Sequence, residues 1–261
     1  MDLKEFKKKL SDRQEKLSVN IIDPLTQKKL IFSVSNEMTL YRARSLFEKE
    51  PITIEWIRGF KSGAVFYDIG ANVGIYSIFA AIISQSNVYS FEPEANNFQT
   101  LMENIVLNNL MNKISAYPIG ISNITSLSTL YLNRFDKGSS HHVIGEPIDH
   151  NLKEIKIKLK QGIFSTSVDR LWGEWGMPEP NHIKIDVDGI EYKIIGKSKK
   201  TLLNKKLKSV LIEINPNREK DKIILNTMLD FGFKYNQNQV ENAKRKSGMH
   251  EGYAEYLFYK T

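Results

Sequence analysis

The most informative absence in this sequence is cysteine, of which its 261 residues contain none. A chain without cysteine has no disulfide framework and no thiolate metal site. Long hydrophobic runs are absent too, because the longest, Ile78–Ile83, falls far short of the roughly 18 to 20 residues that a membrane-spanning helix needs. The positive charge near Met1 precedes no apolar stretch, so we expect no secretory signal, no membrane span and a cytoplasmic protein.

Acidic residues are in deficit, with 30 against 37 basic ones, which gives a formal net charge of +7. A moderate positive charge bears on solubility and on nonspecific attraction to anions, and it does not define a fold. The basic residues are scattered, and no recognition helix, zinc finger or aromatic RNA-binding signature accompanies them. We therefore expect no nucleic-acid partner, while an anionic partner or acceptor stays open.

The sequence does hold enough apolar material for one large domain, since 41% of its residues are hydrophobic. In residues 61–261, short apolar runs alternate with helical patterns, which predicts an α/β fold with a parallel sheet covered on both faces. Residues 1–60 break this rhythm and predict a small N-terminal helical cap that is not an independent domain. The predicted strands are Leu30–Val34, Ala64–Ile69, Val88–Phe91, Ile114–Ile119, His182–Asp186, Val210–Ile214 and an antiparallel edge strand Tyr253–Tyr259, and the predicted helices are Met1–Lys16, Thr39–Lys49, Ile52–Phe60, Val73–Ser84, Glu94–Asn109 and Asp221–Asp230.

The first strand of the alternating region ends in a glycine turn, Asp68-Ile69-Gly70-Ala71-Asn72-Val73-Gly74. Open parallel sheets bind ligands at the carboxyl ends of their strands, and a glycine there lets the backbone approach the ligand closely. The dinucleotide fingerprint fails, because its second and third glycine positions hold Asn72 and Ile75. Asp68 would repel a pyrophosphate, so the turn favours a cationic, phosphate-free ligand such as S-adenosylmethionine.

A second acidic residue, Glu92, follows the next strand and lies 24 residues beyond Asp68. This is close to the spacing of about 20 residues expected of an acid that binds ribose hydroxyls. The third strand end, at Ile119, is expected beside the adenine. Each acid also has a structural alternative, since Asp68 could cap a helix and Glu92 could be a surface acid. We predict S-adenosylmethionine as the cofactor, bound by Asp68, Gly70, Asn72, Gly74, Glu92, Pro93 and Ile119.

Acids and histidines near strand ends are the candidate catalytic groups, because an alcohol accepts a methyl group readily only when a base takes its proton. Asp186 is the first choice for positioning the acceptor or removing its proton, and Glu213 is its neighbour at the next strand end. His142, adjacent to His141, is a further candidate base, since imidazole titrates near neutrality. These histidines lie in the long polar segment Asn133–Asn151, for which a solvated loop is the alternative. The acid pair could hold magnesium, but we expect no metal.

Several runs of the sequence together resemble the FkbM-type methyltransferase family: Phe66–Ser77, Val88–Pro93, Asn108-Asn109, His182–Glu191 and Val210–Ile214. The resemblance covers about residues 50 to 235 and departs from the family at Asp188, where glutamate is common. It implies a class I Rossmann-like methyltransferase with a doubly wound, mostly parallel, seven-stranded sheet. It also implies S-adenosylmethionine as methyl donor, with relatives that mostly methylate hydroxyls of sugars or secondary metabolites.

The predicted function is therefore methyl transfer to a hydroxyl of a small molecule, with a sugar or glycan as the favoured acceptor. Two alternatives stay open, namely methylation of a nitrogen in a protein or nucleic acid, and non-catalytic nucleoside binding. The first is weakened because Asp186-Val187-Asp188-Gly189 stands where amine methyltransferases often carry an Asn/Asp-Pro-Pro-aromatic run. The second is weakened because Asp68, Gly70, Gly74 and Glu92 occur together.

Overall fold

A computed structural model of the chain describes residues 2–3, 5, 17–140, 142–145, 159–246 and 251–260. Most of the predicted helix Met1–Lys16 lies outside the described residues. The same holds for His141, for His150 and for residues 146–151 of the polar segment. The architecture below therefore concerns the described ranges alone.

Strands and helices alternate along most of the chain. The strands are β1 (Leu17–Ile22), β2 (Lys29–Val34), β3 (Val65–Ile69), β4 (Asn87–Phe91), β5 (Ile114–Tyr117), β6 (Gly120–Ile121), β7 (Ser126–Leu132), β8 (Val143–Ile144), β9 (Leu159–Thr166), β10 (His182–Ile185), β11 (Ser209–Ile214) and β12 (Ala254–Tyr259). The helices are α1 (Glu37–Arg44), α2 (Pro51–Arg58), α3 (Ile75–Ile83), α4 (Ala95–Leu107), α5 (Val168–Gly173), α6 (Glu191–Gly196), α7 (Lys199–Leu203), α8 (Glu219–Asp230) and α9 (Gln237–Ala243).

The main sheet runs in the order β12-β11-β10-β3-β4-β5. Its strands pair in parallel except β12, which lies antiparallel to β11 at one edge as the sequence predicts. The α/β, Rossmann-like prediction is confirmed by this order. The number of strands differs: the described residues place six strands in this sheet, not seven, because the remaining strands pair in two separate sheets.

Winding reverses between β3 and β10, which are sequentially distant and spatially adjacent. The chain proceeds outward from β3 through β4 to β5 and later returns on the other side of β3. Both faces of the sheet are covered by hydrophobic clusters, one including Phe66 with residues of α3 and α4, the other including Ile212 with residues of α6 and α8. The carboxyl ends of β3 and β10 therefore meet where such folds place ligands.

A second sheet, with the order β6-β9-β7-β8, was not expected from the sequence. Its longest pairing is the antiparallel one between β7 and β9, which runs from Ser126↔Ser165 to Leu132↔Leu159. Hydroxyl residues interrupt β7, and a lysine, a glutamine and a glycine interrupt β9, so their apolar positions give a weak strand signal. Ile121, Leu130 and Ile144 of this sheet line a cavity at the edge of the main sheet.

The N-terminal segment is only partly helical, because the antiparallel hairpin β1–β2 precedes α1 and α2. The side chain of Asn36 caps α1 by accepting the backbone N–H of Thr39. Phe32 and Ile57 of this segment belong to the same hydrophobic cluster as Phe66 of β3, so the segment is packed directly on the main sheet. Within the described residues, the helices are too short or too polar to cross a bilayer.

Candidate active site

A cavity of about 440 Å³ opens at the carboxyl ends of β3, β4, β10 and β11. This volume lies within the range of about 300 to 1,000 Å³ that is usual for small-molecule sites. The sequence-predicted residues that line it are Gly70, Asn72, Glu92, Pro93, His142, Asp186 and Glu213. The structure thus brings the predicted cofactor turn and the predicted catalytic residues to one cavity.

Gly70 is required by the close approach of β3 and β10. Its φ is +80°, and a Cβ atom at this position would lie 1.9 Å from the backbone oxygen of Asp186. The backbone N–H of Asp186 donates to the oxygen of Ile69 at 3.0 Å, which holds the two strand ends together. The glycine therefore admits a neighbouring strand, in addition to the ligand approach that its place in the turn predicts.

Glu92 is fixed in the cavity wall by backbone groups. Its Oε2 accepts the N–H of Asn72 at 2.8 Å, and its Oε1 accepts the N–H of Glu94 at 2.9 Å. Burial raises the pKa of Glu92 to about 7, although these two hydrogen bonds oppose the shift. Because each carboxylate oxygen can accept more than one hydrogen bond, Glu92 is pre-oriented and still able to bind a ligand hydroxyl.

A turn at residues 136–139, here called the Ser139 turn, closes one side of the cavity. The backbone oxygen of Ser139 accepts hydrogen bonds from the side-chain amides of Asn72, at 2.8 Å, and Asn97, at 3.0 Å. The Ser139 hydroxyl lies 3.0 Å from Nε2 of His142, so this histidine is held at the cavity wall. Asn72, whose φ of 51° is left-handed, therefore links the glycine turn to the Ser139 turn.

Asp68, Gly74 and Ile119 are not among the described residues that line the cavity. Asp68 is 1% exposed and accepts the Ser77 hydroxyl at 2.5 Å beneath the glycine turn. Gly74 admits α4, since a Cβ there would lie 2.3 Å from Leu101 Cδ1. Ile119 was expected beside the adenine, but Ile121 of β6 lines the cavity in its place. Cofactor contact by these residues stays a prediction.

A buried ammonium group was missed by the sequence reasoning. Lys184 of β10 has a side chain that is 2% exposed, and its Nζ lies 2.8 Å from Asp186 Oδ2 and 3.7 Å from Glu50 Oε2. Asp68 is its partner in the register with β3. Burial alone would lower the pKa of Lys184, but Asp186, Glu50 and Asp68 outweigh burial and raise it. We call Lys184, Glu50, Asp68 and Asp186 the Lys184 cluster.

Glu50 is the residue that the N-terminal segment contributes to the Lys184 cluster. Its Oε1 accepts from Lys49 Nζ at 2.7 Å, and its Oε2 accepts from the Thr53 hydroxyl at 3.3 Å. Burial raises the pKa of Glu50, but Lys184 and Lys49 reverse the effect and hold it well below its usual value. The signal for Lys184 was present in the sequence, because positions 184 and 186 of a strand share one face. Nothing local marked Glu50.

Asp186 and Glu213, two acids of the cavity wall, have opposite pKa shifts. Burial opposes ionisation of Asp186, but the Lys184 ammonium prevails and lowers its pKa. Burial, followed by the negative charge of Asp186, raises the pKa of Glu213 to about 7, and Arg245 forms an ion pair with Glu213. Divergent pKa values of neighbouring acids are typical of acid–base sites. Within the described residues, no group of three or more histidines and acids is placed to hold a metal ion.

The turn after β10 is organised by Glu191. Its Oε1 accepts the backbone N–H groups of Val187, at 3.3 Å, and Gly189, at 3.2 Å. Asp188 lies between them with a left-handed φ of 41° and lines the cavity. Burial raises the pKa of Glu191 to about 8. Of the acids that follow β10, Asp186 and Asp188 therefore line the cavity, whereas Glu191 holds the turn in shape.

Solved structures resemble this fold at low sequence identity. The METTL16 methyltransferase domain superposes with a TM-score of 0.50 and 13% identity, covering 100% of this chain and 92% of that one. A precorrin-6y C5,15-methyltransferase from Geobacter metallireducens gives a TM-score of 0.47 at 12% identity, covering 81% and 87%. The first likeness agrees with a Rossmann-like methyltransferase fold.

Sequence comparison is more specific than the structural likeness. The hexuronic acid methyltransferase AglP of Haloferax volcanii is 22% identical over 164 residues, which are 63% of this chain. The chain spans 62% of the length of that relative. Residues 68–235, more than half of the chain, match the family described as the methyltransferase FkbM domain. The chain therefore belongs to the FkbM methyltransferase family.

Proposed function

We propose that this chain transfers the methyl group of S-adenosylmethionine to a hydroxyl of a sugar or glycan-type acceptor. One observation carries the proposal: the Gly70–Asn72 turn, Glu92, Asp186 and Glu213 line the same cavity. Family membership supports methyl transfer. The name of the curated relative, a hexuronic acid methyltransferase, supports a sugar acceptor.

The residues at the glycine turn fit this cofactor in charge and in hydrogen-bonding capacity. Glu92 presents a fixed carboxylate that suits the two hydroxyls of a ribose. Asp186 and Asp188 add acidic groups to the wall, which suits a ligand that carries a sulfonium and an ammonium. When bound, S-adenosylmethionine would supply a methyl group that its sulfonium already activates.

Glu213 and Asp186 would bind and deprotonate the acceptor hydroxyl. Glu213, with a pKa near 7, is suited to take a proton near neutral pH. Asp186 stays ionised beside Lys184 and would accept a hydrogen bond that orients the hydroxyl. His142, held by Ser139 on the opposite wall, is the second candidate base.

Calorimetry with S-adenosylhomocysteine tests the cofactor part of this proposal. Replacing Glu92 by alanine should weaken binding by about 1.5 to 3 kcal/mol, because hydrogen bonds to a charged group are lost. Glu219→Ala is the matched control, since Glu219 is an exposed acid paired only at the surface with Lys222. Binding of NAD in place of S-adenosylhomocysteine would overturn the proposal, and unchanged affinity in Glu92→Ala would remove Glu92 from the site.

A further inference from the structure

One face of α1 forms a cavity wall that neither the sequence reasoning nor the proposed chemistry uses. Met38, Tyr41 and Arg42 line the cavity from this helix. The three and four residue spacings place these side chains on one helical face. The amide of Asn36 donates to the oxygen of Lys137 at 2.9 Å, so the start of the helix is tied to the Ser139 turn.

One nitrogen of the Arg42 guanidinium is hydrogen-bonded, and the other two are available to a ligand. Its Nε donates to the backbone oxygen of Gly138 at 2.5 Å. Among the residues that the structure describes, its two Nη groups have no hydrogen-bond or ion-pair partner. The side chain is half-buried and also lines a small pocket beside Gly70 and Asn72. The bond to Gly138 uses one of the five N–H donors of the guanidinium, so the four Nη donors are left for another acceptor.

A guanidinium anchored through Nε presents its two Nη groups as a planar pair of donors. This geometry matches the two oxygens of a carboxylate, and such bidentate pairs are stronger than neutral hydrogen bonds. Lys49 lines the same two cavities and adds positive charge, although it is paired with Glu50. Glu92 lies near enough for Arg42 to lower its pKa slightly, yet no ion pair joins the two residues in the described structure.

We infer that Arg42 is a carboxylate receptor of this cavity. The inference rests on the proposed function, because two molecules of that reaction can bring a carboxylate to the cavity. One is the cofactor, through its amino-acid end, and the other is an acceptor of the uronic-acid type. Either carboxylate would bind the Nη pair without disturbing the bond that Nε makes to Gly138.

Calorimetry on Arg42→Gln and Arg42→Lys tests the inference, with Arg44→Gln as the control because Arg44 is exposed on the same helix and lines neither cavity. The probes are S-adenosylhomocysteine and 5′-methylthioadenosine, which lacks the amino-acid carboxylate. If the cofactor supplies the carboxylate, Arg42→Gln binds S-adenosylhomocysteine at least tenfold more weakly and 5′-methylthioadenosine unchanged. Arg44→Gln should match the wild type with both probes.

If the acceptor supplies the carboxylate, both nucleosides bind Arg42→Gln normally. Methyl β-D-glucuronide, titrated in the presence of S-adenosylhomocysteine, then loses at least tenfold in affinity, whereas methyl β-D-glucoside does not. An equal loss for both nucleosides would show that Arg42 only supports the Ser139 turn, and no change with any probe would also overturn the inference. A wild-type chain that ignores S-adenosylhomocysteine would instead refute the proposed function.

Discussion

Two parts of the cavity wall, which we call the turn end and the acid end, are held in place by different kinds of interaction. The turn end, at Gly70, Asn72 and Glu92, is held by backbone N–H groups from nearby stretches of chain. The acid end, at Asp186 and Glu213, is held by charged side chains, namely the neighbouring Lys184 and the sequence-distant Glu50 and Arg245. The hydrogen bonds of Glu92 at the turn end therefore stay within residues 72–94, although Gly70 and Asn72 also abut Asp186 and Ser139. The ion pairs of the acid end instead need Glu50 and Arg245, which lie near opposite ends of the chain.

Removing Glu213, the proposed base, should have the largest effect of the predicted changes. It should lower kcat and leave cofactor binding at the turn end unchanged. In Glu213→Gln, kcat should fall by about 10² to 10⁴-fold, the usual contribution of a general base. In the wild type, kcat should fall as the pH drops below about 7, because Glu213 must be ionised to take a proton. Rate profiles from pH 5 to 9 check this, with S-adenosylhomocysteine affinity as the control that should not change.

A Glu213→Gln enzyme that keeps its rate and its acidic limb would assign the base elsewhere. In that case the same profile measured on His142→Gln would test the second candidate. His142 lies at the wall near the Ser139 turn, so its loss should leave the Glu213–Arg245 ion pair intact.

Removing the buried ammonium of Lys184 should destabilise the acid end of the cavity and leave the structure of the turn end in place. In Lys184→Met, the free energy of unfolding should fall by about 3 to 5 kcal/mol, because Glu50 and Asp186 lose their shared buried partner. Lys222→Met should cost less than about 1 kcal/mol, since Lys222 pairs with Glu219 at the surface. Urea unfolding measures both, and equal costs for the two variants would refute the structural role of Lys184.

Adding one methyl group at Gly70, where the glycine turn abuts Asp186, should give the next largest loss of stability. Gly70→Ala should destabilise the chain by about 2 to 4 kcal/mol, because the new Cβ would collide with the backbone oxygen of Asp186 at a left-handed φ. Gly63 is a matched control, since its φ is +79° and a Cβ there meets nothing within 4 Å. Gly63→Ala should therefore cost only the backbone strain, about 1 to 2 kcal/mol. A smaller loss in Gly70→Ala than in Gly63→Ala would contradict the collision.

The sequence made the parallel strands and the glycine turn predictable, because both depend on local patterns. The β3 and β4 strands lie within a residue of the predicted bounds, and β12 takes the predicted antiparallel edge. The second sheet was missed because β7 and β9 alternate weakly and their paired residues lie 27 to 39 positions apart in the sequence. Its pairing depends on contacts that no local window contains.

The site was predictable to a similar limit. Seven of the predicted residues line the cavity, since strand ends and turn acids have a position that fold topology fixes. Asp68 lies instead beneath the turn, because its register with Lys184 gives it a buried cation as neighbour. Glu50 and Arg42 could not be predicted, since their importance comes from where the N-terminal segment packs and not from their local sequence.

The cavity charges divide unevenly between the family domain and its flanks. Among the described residues that line the cavity, those within 68–235 include Glu92, Asp186, Asp188 and Glu213 but no lysine or arginine. The lysine and arginine residues that the described structure places in the lining are Arg42, Lys49 and Arg245, which lie before or after that range. A relative that differed only at Arg42, Lys49 and Arg245 would change which anions the cavity admits while every strand of the parallel core stayed the same.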